Sequence, residues 1–390
     1  DMTWRDLARV MSVRPAEIRS RARWWNRTHA RTHRGWMKLP TLILAIALLA
    51  ASACGQSPPG QTPPAPASEA RQAPTPGPEP AAPAPSLESV LDDAASIEQL
   101  RSLVVAQAGT VKAERNFGLS PDAPANIKSA SKSILSALVG IAIDKGLLEG
   151  VDQPIAPLLE ADLPPDPDPR LSDITLGHLL SMQAGLESTS GRNYGAWVTS
   201  DNWVRSALAR PFVAEPGGAM VYSTGSSHLL SAILARASGR STLELAREWL
   251  GPQEGFEITA WDRDPQGIHF GGNNMAMSTR SLLAFGELYR SGGLSRSGQR
   301  LVPEEWIRES WQPRTVSRFN GDGYGYAWFA REIAGEQVRY AWGFGGQMLY
   351  IVPALDLTVA MVSDDSQASG RSGHRAALHG LMGRIIEASR

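Results

Sequence analysis

Ser129-Ala-Ser-Lys132-Ser-Ile-Leu-Ser-Ala-Leu-Val-Gly-Ile-Ala-Ile-Asp-Lys145 is the stretch on which the reading of this chain turns. Its apolar residues at 134, 135, 138, 141 and 142 repeat at the spacing of a buried helix face, and Gly146 follows where a C-terminal cap belongs. The pattern predicts a helix whose N-terminus lies at or near Ser129, where unpaired backbone N–H groups and the helix dipole favour negative charge. Ser129 is the only serine three residues before a lysine, in a chain with five lysines against 33 arginines. That spacing puts Lys132 one turn on and within side-chain reach of Ser129. A serine hydroxyl attacks poorly until a neighbour takes its proton. A lysine shielded from water loses enough basicity to be that neighbour, or to tune one. A capping serine followed by a surface lysine fits these four residues as well, so the decision falls to other segments.

Two of them supply it. Met220-Val-Tyr222-Ser-Thr224-Gly-Ser-Ser227 leads into a helical pattern with Leu229, Leu230, Ile233 and Leu234 that ends near Gly239. Trp342-Gly-Phe344-Gly345-Gly346-Gln347-Met-Leu-Tyr-Ile-Val-Pro353 is a glycine cluster that opens a β-type run. Together with Ser129 and Lys132 these resemble the serine β-lactamase and penicillin-binding protein superfamily. The resemblance is nearest to its class C-like branch, which includes family VIII esterases and 6-aminohexanoate-dimer hydrolases. The order is that of the family: Ser-x-x-Lys, then a Tyr-x-Asn-type motif, then Lys-Thr-Gly or a replacement. The separations, 93 residues from Ser129 to Tyr222 and 122 from Tyr222 to Phe344, also suit that branch. Further similar stretches are Ile174–Leu186, Gly271-Gly-Asn-Asn-Met-Ala-Met277 and Gly323-Tyr-Gly-Tyr-Ala-Trp328, so the likeness spans roughly residues 95 to 388.

The resemblance implies an acyl-enzyme on Ser129. It implies that Lys132 and Tyr222 share the proton transfer, with the Lys132 cation lowering the Tyr222 phenol so that it takes the serine proton. It also implies an oxyanion hole from the backbone N–H groups of Ser129 and Gln347. Two departures bear on the substrate. Phe344 stands where the family has a lysine or histidine that helps hold a carboxylate, and Thr224 replaces the usual asparagine. Both point toward neutral esters or amides, with Phe344, Gly345 and Gly346 lining the site. Tyr194 and Trp197, in a loop-like segment, are further candidates for the substrate pocket, although core aromatics would look the same. A β-lactamase or D,D-peptidase, and a binding module on the same fold without chemistry, are the alternatives.

Other catalytic designs find no support. There is no Gly-x-Ser-x-Gly elbow. The seven histidines (29, 33, 178, 228, 269, 374, 379) show no His-x-His or His-Glu-x-x-His spacing, so neither metal nor cofactor is expected. His178, in an apolar helical stretch, reads as a hydrogen-bonded structural histidine.

Outside the catalytic part the chain changes character. Residues 1–36 carry nine arginines against three acidic residues and are expected to be an upstream extension without a function of their own. Met37-Lys38 opens an apolar run to Ala51 that is too short for a permanent membrane span and reads as a signal-peptide core, 37–53. Ala51-Ser-Ala-Cys54-Gly55 resembles a bacterial lipobox, which makes Cys54, the only cysteine, the expected lipidation site and the anchor to a bacterial membrane. Eleven prolines between Pro58 and Pro85 predict an extended tether within 54–90. From Cys54 onward the net charge is −8, which argues against a nucleic-acid partner.

Residues 91–390 are long enough for one catalytic domain of α/β (α+β) class. A hairpin around Gly109 and strand-like runs near 326–332, 337–342, 347–352 and 357–363 predict one antiparallel sheet built from the first and last segments. Leu378, Leu381, Met382, Ile385 and Ile386 mark a final amphipathic helix against it, and a mainly helical second lobe is expected at about 140–270.

Overall fold

The computed structural model describes residues 86–390 except 367 and 371. The signal segment, Cys54 and nearly all of the proline-rich tether lie outside the described residues. In chain order the elements are α1 (Leu87–Asp93), β1 (Leu100–Gln107), β2 (Thr110–Asn116), β3 (Ala125–Asn126) and α2 (Ser131–Asp144). Then come α3 (Leu176–Leu180), α4 (Tyr194–Val198), α5 (Trp203–Leu208), α6 (Thr224–Ser238), α7 (Thr242–Trp249), β4 (Ala260–Trp261), β5 (Met275–Met277) and α8 (Thr279–Arg290). The chain closes with α9 (Glu304–Ser310), β6 (Thr315–Val316), β7 (Gly323–Tyr324), β8 (Phe329–Ile333), β9 (Glu336–Gly343), β10 (Gln347–Val352), β11 (Leu357–Ser363) and α10 (His374–Ala388).

The main sheet is eight-stranded, in the order β2-β1-β11-β10-β9-β8-β7-β6, with every neighbour antiparallel. Pairing of β1 with β11 joins the first and last segments, as the sequence predicts. Side chains alternate across a strand, and here both faces are covered. Val104, Ala341, Leu349, Ile351 and Ala360 join one core with α2, α6 and α8. Leu103, Val105, Val338, Tyr340, Met348 and Tyr350 join a second core with α1 and α10. The five apolar residues expected on the last helix are all buried there. β8 begins three residues later than the pattern suggests, because Ala327 adopts φ +64° and breaks the extended run.

Helices α2 to α7 and the loops between them fill the stretch from residue 131 to 249. A small second sheet, β3-β5-β4, is a feature that the sequence reading did not anticipate, since its strands are two or three residues long. Ile127 N–H donates to Met275 O (2.9 Å), which ties the residues ahead of Ser129 to this sheet. His178 is a satisfied structural histidine: its Nδ1 accepts from Thr175 N–H (3.2 Å) in a helix-capping arrangement.

Candidate active site

Ser129 sits in a single 3-10 turn, Lys128–Ala130, that runs directly into α2. Entry into this turn requires Lys128 to adopt φ +51°, a conformation costly for a residue with a side chain. Neighbours hold it there. Asn126 Oδ1 accepts from Lys128 N–H (2.9 Å), and the Lys128 ammonium pairs with Asp365 (2.6 Å). Asn126 in turn donates to Asn274 (3.1 Å), which donates to Asp262 (2.9 Å).

Three serines crowd this turn, and their partners separate them. Ser131 Oγ donates to Lys128 O (2.7 Å) and Ser133 Oγ donates to Ala327 O (2.7 Å), so both hydroxyls serve the backbone. Ser129 Oγ instead accepts from Lys132 Nζ at 3.0 Å. Lys132 is buried, and Nζ also donates to Gly272 O at 2.6 Å. Burial removes water from the ammonium and pushes Lys132 down to about 7, so a sizeable neutral fraction exists at neutral pH.

Tyr222 precedes α6, and Ser188 Oγ donates to its carbonyl at 2.6 Å. Its ring centroid lies 5.3 Å from Lys132 Nζ, and its hydroxyl lies next to Ser129, the one side chain that lowers its phenol. Burial pushes the Tyr222 phenol up to about 12, and Ser129 offsets only part of that. The direction is opposite to the expected tyrosinate. Desolvation sets the direction, and it drives Lys132 toward its neutral form as well. The resting pair is therefore a partly neutral amine beside a protonated phenol.

Thr224, at the asparagine position of the second motif, is spent within the fold: its hydroxyl shares a hydrogen bond with Ser190 (3.0 Å). The glycine cluster is the turn between two strands and leads directly into the expected β-run. β9 ends at Gly343, β10 begins at Gln347, and Gly346 N–H returns to Gly343 O (3.1 Å). Gly345 and Gly346 have φ of +84° and +103°, and a Cβ on either would meet Asp365 or the His374 ring. The hairpin and its neighbours thus account for both glycines. Phe344, at the tip, is 50% exposed. Gln347 is buried, with its amide donating to Ser363 O (2.8 Å) and its backbone paired with Gly343. The glycine that meets the serine turn is Gly343, where a Cβ would overlap the Ile127 carbonyl oxygen.

Tyr194 and Trp197 part company. Trp197 is a core residue, packed edge-on against Phe270 and His228, with Nε1 donating to Trp203 O (2.9 Å). That removes it from the pocket candidates, because its indole is enclosed on all sides. Tyr194 is half-buried, and its hydroxyl accepts from Asn273 (2.8 Å), the residue after the one that holds Lys132. Sequence reasoning missed Asn126, Gly272 and Gly343. The signal for Gly272 was present in the Gly271–Met277 stretch, which carried a likeness without a role.

The assembled groups can move a proton away from a serine hydroxyl toward a buried amine, which is what acyl transfer from an ester or amide requires. The Beta-lactamase family model matches residues 94–381. Among solved structures the chain is similar to the octameric penicillin-binding protein homologue from Pyrococcus abyssi, with 21% identity over 76% of this chain and 77% of that one, at a TM-score of 0.60. It is also similar to EstCE1, a hydrolase with promiscuous acyltransferase activity, with 17% identity over 78% and 97% of the two chains and a TM-score of 0.61. A third similar structure is the class C β-lactamase from Rhodobacter sphaeroides, with 16% identity over 77% and 99% and a TM-score of 0.57. At these identities the likeness is one of fold. No curated protein is similar in sequence to this chain.

Proposed function

Because the chain belongs to the Beta-lactamase family, we propose that it is a serine hydrolase that cleaves a small ester or amide through an acyl-enzyme on Ser129. The observation that carries this reading is the 3.0 Å contact between Ser129 Oγ and a buried Lys132 amine pushed down to about 7. Lys132 in its neutral form accepts the Ser129 proton as Oγ bonds to the acyl carbon. The Tyr222 hydroxyl, next to Ser129, gives its proton to the departing alkoxide or amine, whose bond to the acyl carbon breaks, and takes in exchange the proton that Lys132 received, which leaves Lys132 neutral again. Water then repeats the sequence, giving its proton to Lys132 and releasing the acid from Ser129. The negative oxygen of each tetrahedral intermediate is stabilised by backbone N–H groups at Ser129 and in the 344–347 hairpin, Gln347 among them.

Phe344 and Thr224 favour uncharged substrates, the first by its apolar side chain and the second by its engagement with Ser190. The sequence at 37–54 supports export and attachment to a bacterial membrane through a lipid on Cys54. Metabolic labelling with a palmitate analogue tests that attachment: Cys54→Ala abolishes the label.

A panel of p-nitrophenyl esters beside a chromogenic cephalosporin tests the activity, and a fluorophosphonate probe tests the nucleophile. Short esters turn over, cephalosporin does not, and the label sits on Ser129 and vanishes in Ser129→Ala. Labelling that persists at Ser131 overturns the assignment.

A further inference from the structure

We infer that His228 and Asp264 are positioning residues for Lys132, acting through the Gly271–Gly272 segment. The inference rests on the reading of Lys132 as the base and names what holds its amine in place.

The chain of contacts starts in the core of the helical lobe. The side chains of His228, on α6, and Asp264 are fully buried, with His228 Nε2 3.0 Å from Asp264 Oδ2. The ring's other nitrogen, Nδ1, lies 3.3 Å from Gly271 N–H. A backbone N–H can only donate, so Nδ1 is the acceptor, the ring proton sits on Nε2, and Nε2–H donates to the Asp264 carboxylate. Asp264 Oδ1 accepts from Gln266 N–H and Ile268 N–H, both at 2.8 Å, which folds the loop around the carboxylate. Asp264 therefore fixes the tautomer and tilt of His228, and His228 fixes Gly271.

The next residue, Gly272, presents the carbonyl that Lys132 Nζ reaches at 2.6 Å. No slack remains between these groups. A Cβ on Gly271 would overlap the Ser227 carbonyl oxygen on α6. A Cβ on Gly272, whose φ is +76°, would stand 2.5 Å from Lys132 Cγ and 2.9 Å from Nζ. The two glycines thus let the loop backbone lie directly between α6 and the lysine. An orphaned Gly271 N–H would be free to turn, and the Gly272 carbonyl would turn with it.

His228 has the packing of an ordinary core histidine, since Trp197, Trp203 and Phe270 lie against its ring at 5.8, 5.4 and 6.0 Å. Two substitutions separate packing from positioning. His228→Asn keeps an acceptor where Nδ1 stands and gives up the Asp264 contact. His228→Gln keeps a donor toward Asp264 and withdraws the acceptor from Gly271.

The test reads Lys132 directly, with no reliance on turnover. The chain has five lysines, so NMR of 13Cε-labelled lysine in the full chain gives a short spectrum in which Lys132→Ala assigns the signal. An ammonium that loses one acceptor becomes easier to deprotonate. In His228→Gln the Lys132 titration midpoint falls by about one unit relative to wild type, the scale expected for one hydrogen bond to a charged group. In His228→Asn it stays near wild type, and Asp264→Asn falls between. Ester hydrolysis follows the same order, with kcat in His228→Gln down about tenfold and KM little changed. Equal midpoints in the Asn and Gln variants, with both folded, overturn the inference. If the midpoints separate and even wild type hydrolyses nothing, the positioning stands and the proposed function fails.

Discussion

Gly343 stands against the Ile127 carbonyl so closely that no side chain fits between them. This contact joins the end of β9 to the residue that opens the serine turn, so the main sheet and Ser129 are set relative to each other by a glycine.

Replacing that glycine tests the arrangement. In Gly343→Ala the methyl would stand 2.3 Å from the Ile127 carbonyl oxygen, a backbone atom, so the hairpin and the serine turn must move apart by well over half an ångström. The shift moves hairpin donors away from an oxyanion held at Ser129. Rate losses of about 10²-fold in kcat are expected, in line with removal of one oxyanion donor. Fluorophosphonate labelling of Ser129 should slow in parallel. Retention of full turnover in a folded Gly343→Ala protein would place the oxyanion donors elsewhere.

Lys132 should govern the pH dependence. Its folded value of about 7 lies well below the ordinary 10.5. As the base it must be neutral, so kcat/KM rises with pH and levels off above about 7. The same shift has a consequence for stability. Between about 7 and 10.5 the unfolded lysine binds a proton that the folded one lacks, so stability rises with pH across that window. Lys132→Met lacks the titration. Denaturant midpoints measured from pH 7 to 9.5 should therefore climb for wild type relative to Lys132→Met, and parallel curves would contradict the buried amine.

With burial pushing its phenol up to about 12, Tyr222 enters the proposed mechanism as a relay and not as a standing base. Tyr222→Phe removes the hydroxyl and leaves the ring contacts with Phe319 and Tyr324, at 5.7 and 6.4 Å, in place. The fold should be unchanged and kcat lower by about 10²-fold. Because the acid limb belongs to Lys132, its position should stay where it is in wild type. Turnover close to wild type would remove Tyr222 from the mechanism.

These relationships divide into those legible in the sequence and those that were not. The helices beginning at Ser131 and Thr224, the last helix and the β9–β11 strands were legible, because apolar periodicity reports burial directly. The Ser129–Lys132 pairing was legible for a related reason, since three residues on a helix fix a distance. Gly272, His228 and Asp264 were not. Their link to Lys132 crosses 140 residues of chain, and no local pattern encodes a carbonyl that a folded loop delivers. The protonation state of Tyr222 was misjudged because the sequence shows the neighbouring charge but not the depth of burial. Burial decided the direction. Trp197 illustrates the same limit: an aromatic in a short polar segment reads as loop until the core closes over it.

Phe344 is the residue through which specificity should be adjustable. It sits half-exposed at the hairpin tip, one residue beyond the glycine that meets the serine turn. Lys128, one residue before Ser129, has its ammonium paired with Asp365 and does not offer a free cation to a substrate. Phe344→Lys would place an ammonium beside the acyl group without disturbing a buried contact. Esters that carry a carboxylate should then gain about tenfold in kcat/KM relative to neutral esters, the scale of one charge-assisted hydrogen bond in a partly wet site. The preference should weaken as ionic strength rises, since the new contact is screened. Neutral esters should keep roughly their wild-type kcat, because the substitution leaves Ser129, Lys132 and Tyr222 untouched. If wild type hydrolyses cephalosporins faster than short-chain esters, Phe344 does not set the preference for uncharged substrates, and this account of specificity is wrong.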